Sequence, residues 1–305
     1  MIMIKFWELT KRNLLIYFRD KGAVFGSLLS MLIIIALMLF FLGDMSVENI
    51  TELLSGLPDR DTSKDESNAE LLVLAWTVAG IIPINSAMVA LSALSSIIKD
   101  KTSGKINSIY TSPVSRLTIA LSYISAACVA SVIICLLTLA VSEIYLCSGG
   151  LAAFTFSEHM KIFGMIIVNS FTYSAIMYLF AVLVKSEGAW SGFGTVIGTL
   201  VGFFGGIYLP IGQLSEGLAG VMTCTPVIYG TAMFRSVMTS TITNTTFANA
   251  PDVMTEEFRK VMGIDLEAFG NVVPPAVCVA VVIGFGVMFT AAGAVTTSLM
   301  KRKDR

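Results

Sequence analysis

The sequence predicts an all-α membrane protein with six transmembrane helices, an amphipathic N-terminal interfacial helix and short external re-entrant helices between spans 5 and 6. Two observations predict this fold. The 305 residues are 55% hydrophobic and only 13% charged, whereas soluble domains carry about 25% charged residues. The mean hydropathy is +0.81, and the apolar residues form runs long enough to cross a bilayer core, which needs roughly 20 residues of helix.

The predicted spans follow the long apolar runs along a single transmembrane domain, residues 1–305. We place them near residues 23–42, 71–98, 117–142, 162–184, 188–208 and 273–299. Helices are favoured because only helices or closed barrels satisfy every backbone hydrogen-bonding group in lipid. An even number of spans puts both termini on one side, and segments 43–70 and 209–272 become loops on the other side.

The placement of Lys and Arg predicts the orientation. With both termini in the cytoplasm, fourteen of the twenty basic residues lie on the inner side, as the positive-inside rule expects. The inner set is Lys5, Lys11, Arg12, Arg19, Lys21, Lys99, Lys101, Lys105, Arg116, Lys185, Lys301, Arg302, Lys303 and Arg305. We therefore expect a multi-pass protein of the cytoplasmic membrane with both termini inside.

The first 22 residues predict an interfacial helix, because charged and apolar side chains separate onto different faces at 3.6 residues per turn. The charged face holds Lys5, Glu8, Arg12 and Arg19, and the apolar face holds Ile2, Phe6, Leu9, Ile16 and Tyr17. Such a helix is either a simple anchor for span 1 or a lever between a cytoplasmic partner and the spans.

The longest inner loop between spans is KDKTSGKINSIYTSPVSR, residues 99–116. Ser103 and Gly104 favour a turn, Lys105 to Tyr110 favour a short helix, and Pro113 limits its end. The segment is either a charged inner loop or a docking helix for a motor protein. It lacks the glycine spacing of a phosphate-binding loop, so we expect no nucleotide site on this chain.

Span 5 carries glycines at every fourth position, Gly194, Gly198, Gly202 and Gly206. Small residues on one helical face let another helix approach closely. The stripe therefore packs either within the chain or against a second subunit or the transport path.

The long segment after span 5 has two halves. Residues 209–237 are still apolar and contain Pro210, Gly212 and Pro226, which favours short helices that dip into the outer leaflet. Residues 239–271 are expected to form an ordinary polar loop.

Several functions have little support in the sequence. The net charge of −1 gives no electrostatic attraction to nucleic acid. No ionisable residue lies inside a predicted span, which weighs against an ion-coupled carrier or channel. The single His159 and the scattered cysteines predict neither a metal cluster nor a nucleophile with its base. A non-transporting membrane sensor subunit remains a further alternative.

Two segments resemble the type-2 permease family of ATP-binding cassette transporters, and the likeness runs through nearly the whole chain. DKTSGKINSIYTSPVSR, residues 100–116, looks like the family's segment after span 2. GGIYLPIGQLSEGLAGVMTCTPVIYGTAMFRSVM, residues 205–238, looks like its segment after span 5, with Pro210, Pro226 and Arg235 in the expected order. One departure is that Lys101 to Ser103 stand where the family usually has a glutamate.

The resemblance implies a six-helix permease that serves as the membrane subunit of a bacterial exporter. It would pair with a second permease copy or paralogue and with ATP-binding cassette ATPase subunits. This chain would bind no cofactor, because ATP and Mg²⁺ would sit on the ATPase partner. The implied docking residues are Arg12, Asp100, Lys101, Gly104, Lys105, Ile106, Ile109, Tyr110 and Pro113. The implied interface or pathway residues are Gly194, Gly198, Gly202, Phe203, Phe204, Gly206, Tyr208 and Pro210.

Overall fold

A computed structural model of the chain describes residues 2–37, 43–58, 60–268 and 270–303. These residues are almost entirely helical. The first nine helices are α1 Ile2–Arg19, α2 Lys21–Leu37, α3 Gly43–Ser55, α4 Thr62–Ala93, α5 Ser95–Thr102, α6 Lys105–Thr111, α7 Arg116–Ser148, α8 Phe156–Leu183 and α9 Glu187–Phe204. After a 3-10 turn at Ile211–Gln213 follow α10 Glu216–Thr223, α11 Pro226–Met238, α12 Ser240–Thr246, α13 Asp252–Val261, a hairpin of β1 Glu267–Ala268 and β2 Asn271–Val272, and α14 Pro275–Lys303.

In the part of the chain that the structure describes, four helical runs are long and apolar enough to cross a membrane: Thr62–Thr102, Arg116–Ser148, Phe156–Leu183 and Pro275–Leu299. Helices α10 and α11 meet at a bend of 90° and make a fifth candidate if the bent pair counts as one span. These runs contain the predicted spans 2 and 3, and they cover the predicted spans 4 and 6 to within one or two residues. Predicted span 5 coincides with α9, and predicted span 1 coincides with α2 up to Leu37; residues 38–42 of that span lie outside the described residues.

The predicted loops are more structured than the sequence indicated. Segment 43–70 contains α3 and the first turns of α4. Segment 239–271 is not an ordinary polar loop, because it contains α12, α13 and the hairpin. Helix α13 has Asp252 in its first turn and Arg259 and Lys260 in its last, which complements the helix dipole. The polar composition of this segment concealed a helix that buries little besides Phe258.

Helix α8 lies at the centre of the bundle, where it packs against α4, α7, α11 and α14. Polar side chains join three of these helices inside the bundle. The Ser131 hydroxyl donates to Ser170 Oγ at 2.9 Å and lies 3.2 Å from Ser86 Oγ. Asn85 Nδ2 donates to Thr138 Oγ1 at 2.8 Å. Such hydrogen bonds hold helices together where lipid provides no hydrophobic driving force between them.

The contact between α8 and α14 depends on two glycines of α14. A Cβ atom added to Gly286 would lie 2.7 Å from Cε1 of Phe171 and 2.8 Å from Oγ1 of Thr172. A Cβ atom on Gly293, two helical turns further on, would lie 2.8 Å from Cδ1 of Tyr178. The predicted close contact at glycines lay on span 5, and the contact of Gly286 and Gly293 with α8 was not predicted.

Gly286→Ala is expected to destabilise the fold by about 1–3 kcal/mol, because an extra methyl group forces well-packed neighbours apart. Gly284 is the matched control, since a Cβ atom there has nothing within 4 Å. Gly284→Ala should stabilise α14 by up to about 1 kcal/mol through helix propensity. Thermal unfolding in detergent measures both variants, and equal shifts for the two would contradict the close α8–α14 contact.

Candidate functional site

At one end of the bundle, α1, α5 and α7 meet around a buried carboxylate. Arg12 of α1 donates from Nη2 to Oδ1 of Asp100 at 2.6 Å and from Nη1 to Oδ2 at 2.8 Å. The Tyr123 hydroxyl of α7 donates to Asp100 Oδ2 at 2.6 Å. Asp100 is 4% exposed. Its hydrogen bond and negative charge raise the pKa of Arg12 above its ordinary value, so the guanidinium is held in its charged form.

The residues on either side of Asp100 connect α5 to further helices. Lys99 forms an ion pair with Asp20, between α1 and α2, at 2.8 Å. The hydrogen bond from Lys99 holds the pKa of Asp20 below its ordinary value. Lys101 Nζ donates to the carbonyls of Ala181, Val182 and Val184 at 2.6–3.0 Å.

Lys101 therefore supplies donors to carbonyls that the end of α8 leaves without intrahelical partners. Through residues 99–101, one turn of α5 is fastened to α1, to the α1–α2 junction, to α7 and to α8. We call residues 99–101 with their partners the α5 hub. A displacement of α5 would act on all of these helices at once.

The α5–α6 turn projects beyond this hub. Gly104 has φ +73°, a left-handed conformation that glycine adopts without strain. Lys105 is exposed, and Ile106 is buried. Pro113 is exposed, and its carbonyl accepts a hydrogen bond from Lys5 Nζ at 3.1 Å. The turn is thus held against α1 while its outer surface stays free within this chain.

The remaining docking candidates lie on or beside α6. Ile109 and Tyr110 are half-buried, and the Arg116 guanidinium lies 3.5 Å from the centre of the Tyr110 ring. The structure thus divides the predicted docking residues into two groups. The first group, which is buried or bonded to other helices, is Arg12, Asp100, Lys101 and Ile106; the second group, which keeps part of its side-chain or backbone surface exposed, is Gly104, Lys105, Ile109, Tyr110 and Pro113.

The glycine stripe of α9 faces side chains of the same chain. A Cβ atom on Gly194 would lie 3.0 Å from Leu91 of α4, and one on Gly198 would lie 3.2 Å from Met88. A Cβ atom on Gly202 would lie 2.9 Å from the Tyr208 ring. Gly206 has φ +61°, a left-handed conformation, and lies just beyond the end of α9. The stripe therefore fits the alternative of packing within the chain.

The opposite face of α9 is open. Its exposed residues recur at helical spacing and are Gly188, Gly192, Thr195, Val196, Thr199, Leu200 and Phe203. Between α9 and the α4–α5 run lies a crevice of about 450 Å³. Lys99 and Glu187 line this crevice together with hydroxyl groups that include Ser92 and Ser191.

The aromatic pathway candidates follow the end of α9. Phe203 is 42% exposed, and its ring centre lies 6.2 Å from that of Tyr208. Phe204 is half-buried against the core. Tyr208 and Pro210 are half-buried and line a cavity on the side of the bundle opposite the α5 hub.

Arg235 is a charged residue whose burial was not predicted from the sequence. It is 0% exposed, although it lies in what the sequence presents as a loop. Its Nη2 donates to the carbonyls of Gly206 at 2.9 Å and Gly205 at 3.1 Å, and its guanidinium stacks over Trp76 at 4.0 Å. Trp76 Nε1 in turn donates to the carbonyl of Met262 at 2.7 Å.

The end of α9 thus surrounds the Arg235 cation with carbonyl oxygens, where the helix dipole is negative. The signal in the sequence was the apolar stretch 209–237 with an arginine inside it. Burying a cation costs free energy, so the groups that contact Arg235, the two carbonyls and the Trp76 ring, must offset that cost.

A second set of contacts joins the segments at the end away from the α5 hub. Arg60 pairs with Asp65 through two hydrogen bonds of 2.9 and 2.7 Å. It also donates to the carbonyls of Thr246 and Ala248 at 2.7 and 2.6 Å. Among the described residues, no group of three or more His, Cys, Asp or Glu side chains is arranged to hold a metal ion.

Long apolar helices whose described ion pairs lie at the two ends of the bundle define a multi-pass membrane protein. A family model described as ABC-2 type transporter matches residues 4–239. The chain therefore belongs to the ABC-2 type transporter family and is a membrane subunit of an ATP-binding cassette transporter. Both segments that resemble this family, 100–116 and 205–238, lie inside the match. A search of curated proteins finds no match to the chain.

Proposed function

We propose that this chain is the membrane-spanning subunit of an ATP-driven exporter, which moves its substrate out across the cytoplasmic membrane. Permeases of this family generally work with ATP-binding cassette subunits, and ATP and Mg²⁺ would bind to that partner. The observation that carries the proposal is the α5 hub, because it connects a projecting turn with free surface to four parts of the bundle.

The coupling role follows from how the hub is built. An ATPase that pushes on Lys105, Tyr110 or Pro113 moves α6, and the short turn at Gly104 passes the movement to α5. Arg12 and Lys101 then transmit it to α1 and α8, because both make short charge-assisted hydrogen bonds. In this proposal, Asp100 and Ile106 act inside the permease and do not contact the motor directly.

A second permease, identical or paralogous, would pack on the open face of α9. Four residues of that face, Gly188, Gly192, Thr195 and Thr199, are small or carry a hydroxyl group, and such residues permit close approach of another helix. The substrate would pass along this face, from the crevice beside Glu187 and Thr195 toward Phe203 at the other end of α9.

The topology belongs to the same proposal: six spans, both termini in the cytoplasm of a bacterium, and α10 and α11 as a re-entrant pair. The depth of α11 supports re-entry, because a Cβ atom on Gly230 would lie 2.5 Å from Oδ1 of Asn169, near the middle of α8. The α5 hub then faces the cytoplasm and the Arg60 contacts face outward.

Cysteine labelling checks the orientation. In a cysteine-free background, Asn107→Cys lies at the hub end and Ser157→Cys at the opposite end, and both positions are exposed. A membrane-impermeant maleimide should label only Ser157→Cys in intact cells and both variants after lysis. Labelling of Asn107→Cys in intact cells would reverse the proposed orientation.

The function itself is tested by purifying the tagged chain in mild detergent, identifying its partners and assaying ATPase activity. Gly104→Pro should lose the ATPase, because proline cannot adopt the φ of +73° found there and lacks the N–H that donates to Lys101. Gly150→Pro is the matched control: Gly150 has φ +99° and an N–H that donates to Cys147, at the other end of the bundle.

Two charge-reversal variants test the same surface. Lys105→Glu should weaken ATPase recovery, whereas Lys161→Glu, an exposed lysine at the opposite end, should not. If the wild-type chain purifies without a nucleotide-hydrolysing partner, the exporter proposal fails. If both members of each matched pair behave alike, the docking surface is placed wrongly.

A further inference from the structure

A cavity of about 320 Å³ opens at the end of the bundle away from the α5 hub. This volume is at the lower end of the range of about 300–1,000 Å³ found for small-molecule sites. Helix α3, the outer part of α4, segment 207–213 and α13 enclose it. Its walls are mostly apolar, and three of them are aromatic: Trp76, Tyr208 and Phe258.

The charge that the lining residues give this cavity is negative. Glu257 is the single acidic residue among the described residues that line it, and no Lys or Arg lines it. Within the described part of the chain, no ion pair neutralises this carboxylate. Glu257 is exposed, whereas Trp76 is buried. The negative charge therefore lies at the mouth and the apolar surface lies deeper.

The walls are held in place before any ligand arrives. Trp76 is fixed by its hydrogen bond to the Met262 carbonyl and by Arg235 stacked on it. Phe258 packs against Phe247 with ring centres 4.7 Å apart. A ligand would therefore meet a preorganised surface and would not have to order these side chains on binding.

The position of Arg235 decides which way round a charged ligand would lie. Its positive charge sits behind Trp76, bonded to the Gly205 and Gly206 carbonyls. A second cation is therefore disfavoured deep in the cavity and favoured at the mouth beside Glu257.

We propose that this cavity binds an organic cation with an apolar body, such as an alkylammonium compound, with its charge at Glu257 and its apolar part against Trp76. The Tyr208 ring, which lines the same cavity, also packs over Gly202 of α9. A bound cation would therefore touch the wall that adjoins the end of α9.

The test uses the purified full chain with Trp7→Phe and Trp190→Phe, so that Trp76 is the only tryptophan left of three. Hexyltrimethylammonium should change Trp76 emission saturably, and hexanesulfonate, of the same chain length and opposite charge, should not. Glu257→Gln should weaken binding of the cation about two- to fivefold, the loss expected for one charge contact at an exposed site.

Glu256→Gln is the matched control, because Glu256 is equally exposed and does not line the cavity. It should bind the cation like the parent. Equal affinities for the two glutamine variants, or equal binding of hexanesulfonate, would overturn the proposal. Because the assay needs neither an ATPase nor transport, failure of the exporter proposal would leave its result unchanged.

Two sources of such a cation are possible: a compound in transit through the protein or one that arrives from outside. Efflux of hexyltrimethylammonium from preloaded cells separates them. Slower efflux with Glu257→Gln than with Glu256→Gln identifies a transported compound at its release site. Equal efflux, together with weaker binding to purified Glu257→Gln, identifies a ligand that arrives from outside.

Discussion

Arg235→Met is expected to destabilise the protein by about 3–5 kcal/mol, because it leaves buried carbonyl groups without donors. Methionine retains much of the apolar volume but cannot donate to the carbonyls of Gly205 and Gly206. Replacing a buried ion pair with apolar residues can be neutral when both partners are removed. That compensation is impossible here, because the partners of Arg235 are backbone atoms.

Arg235→Lys separates charge from geometry. Lysine keeps a positive charge but lacks the planar fork that donates to two carbonyls while stacking on Trp76. We expect it to be intermediate between the parent and Arg235→Met. Arg19→Met is the control, because Arg19 is exposed on α1 and surface substitutions usually change stability by less than about 0.5 kcal/mol.

Thermal unfolding in detergent, followed by circular dichroism and by the monodisperse fraction after heating, measures all three variants. If Arg235→Met unfolded at the temperature of Arg19→Met, the carbonyls at the end of α9 would have found other donors. The buried cation would then not be what holds this end of α9 in place.

The helical elements were predictable because apolar runs and charge placement are local in the sequence. The predicted span over 162–184 overlaps α8 up to Leu183, and the predicted short helix from Lys105 to Tyr110 lies within α6. Helices α12 and α13 were missed because their polar composition resembles that of a loop. The amphipathic order of α13, with Met254, Phe258 and Val261 at helical spacing, is present in the sequence, but the charged residues between them suggested a loop.

The partners of individual side chains were much less predictable. Arg12 and Asp100 were both selected as docking residues, yet they bond to each other across 88 positions of sequence. Nothing in either local pattern indicates that pairing, because it depends on how α1 lies across α5 and α7. The same holds for Gly286, whose close contact depends on which face of α14 meets α8.

The Arg12–Asp100 pair is expected to show a coupling free energy of about 1–3 kcal/mol in a double-mutant cycle of Arg12→Met and Asp100→Asn. Removing either partner leaves the other charge in a poorly hydrated site, so each single change should be costly. The Arg12 side chain is 34% exposed and that of Asp100 is 6% exposed. We therefore expect less than the roughly 3–5 kcal/mol typical of breaking a fully buried pair.

The Lys99–Asp20 pair is a control within the same hub. Its distance is 2.8 Å, close to that of the first pair, but its side chains are 51% and 37% exposed. Exposed pairs contribute about 0–1 kcal/mol, so the cycle of Lys99→Met and Asp20→Asn should give little coupling. Added salt should reduce that small coupling further, because exposed charges are screened.

The two cycles together separate stability from the transmission of movement. If the Arg12–Asp100 pair carries movement from α5 to α1, each single variant should also lower partner-dependent ATPase activity at temperatures where it remains folded. The Lys99 and Asp20 variants should keep most of that activity. Equal coupling energies for the two pairs would mean that burial does not strengthen the Arg12–Asp100 contact. Unchanged ATPase activity in the folded Arg12 and Asp100 variants would mean that α1 acts as an anchor and not as a lever.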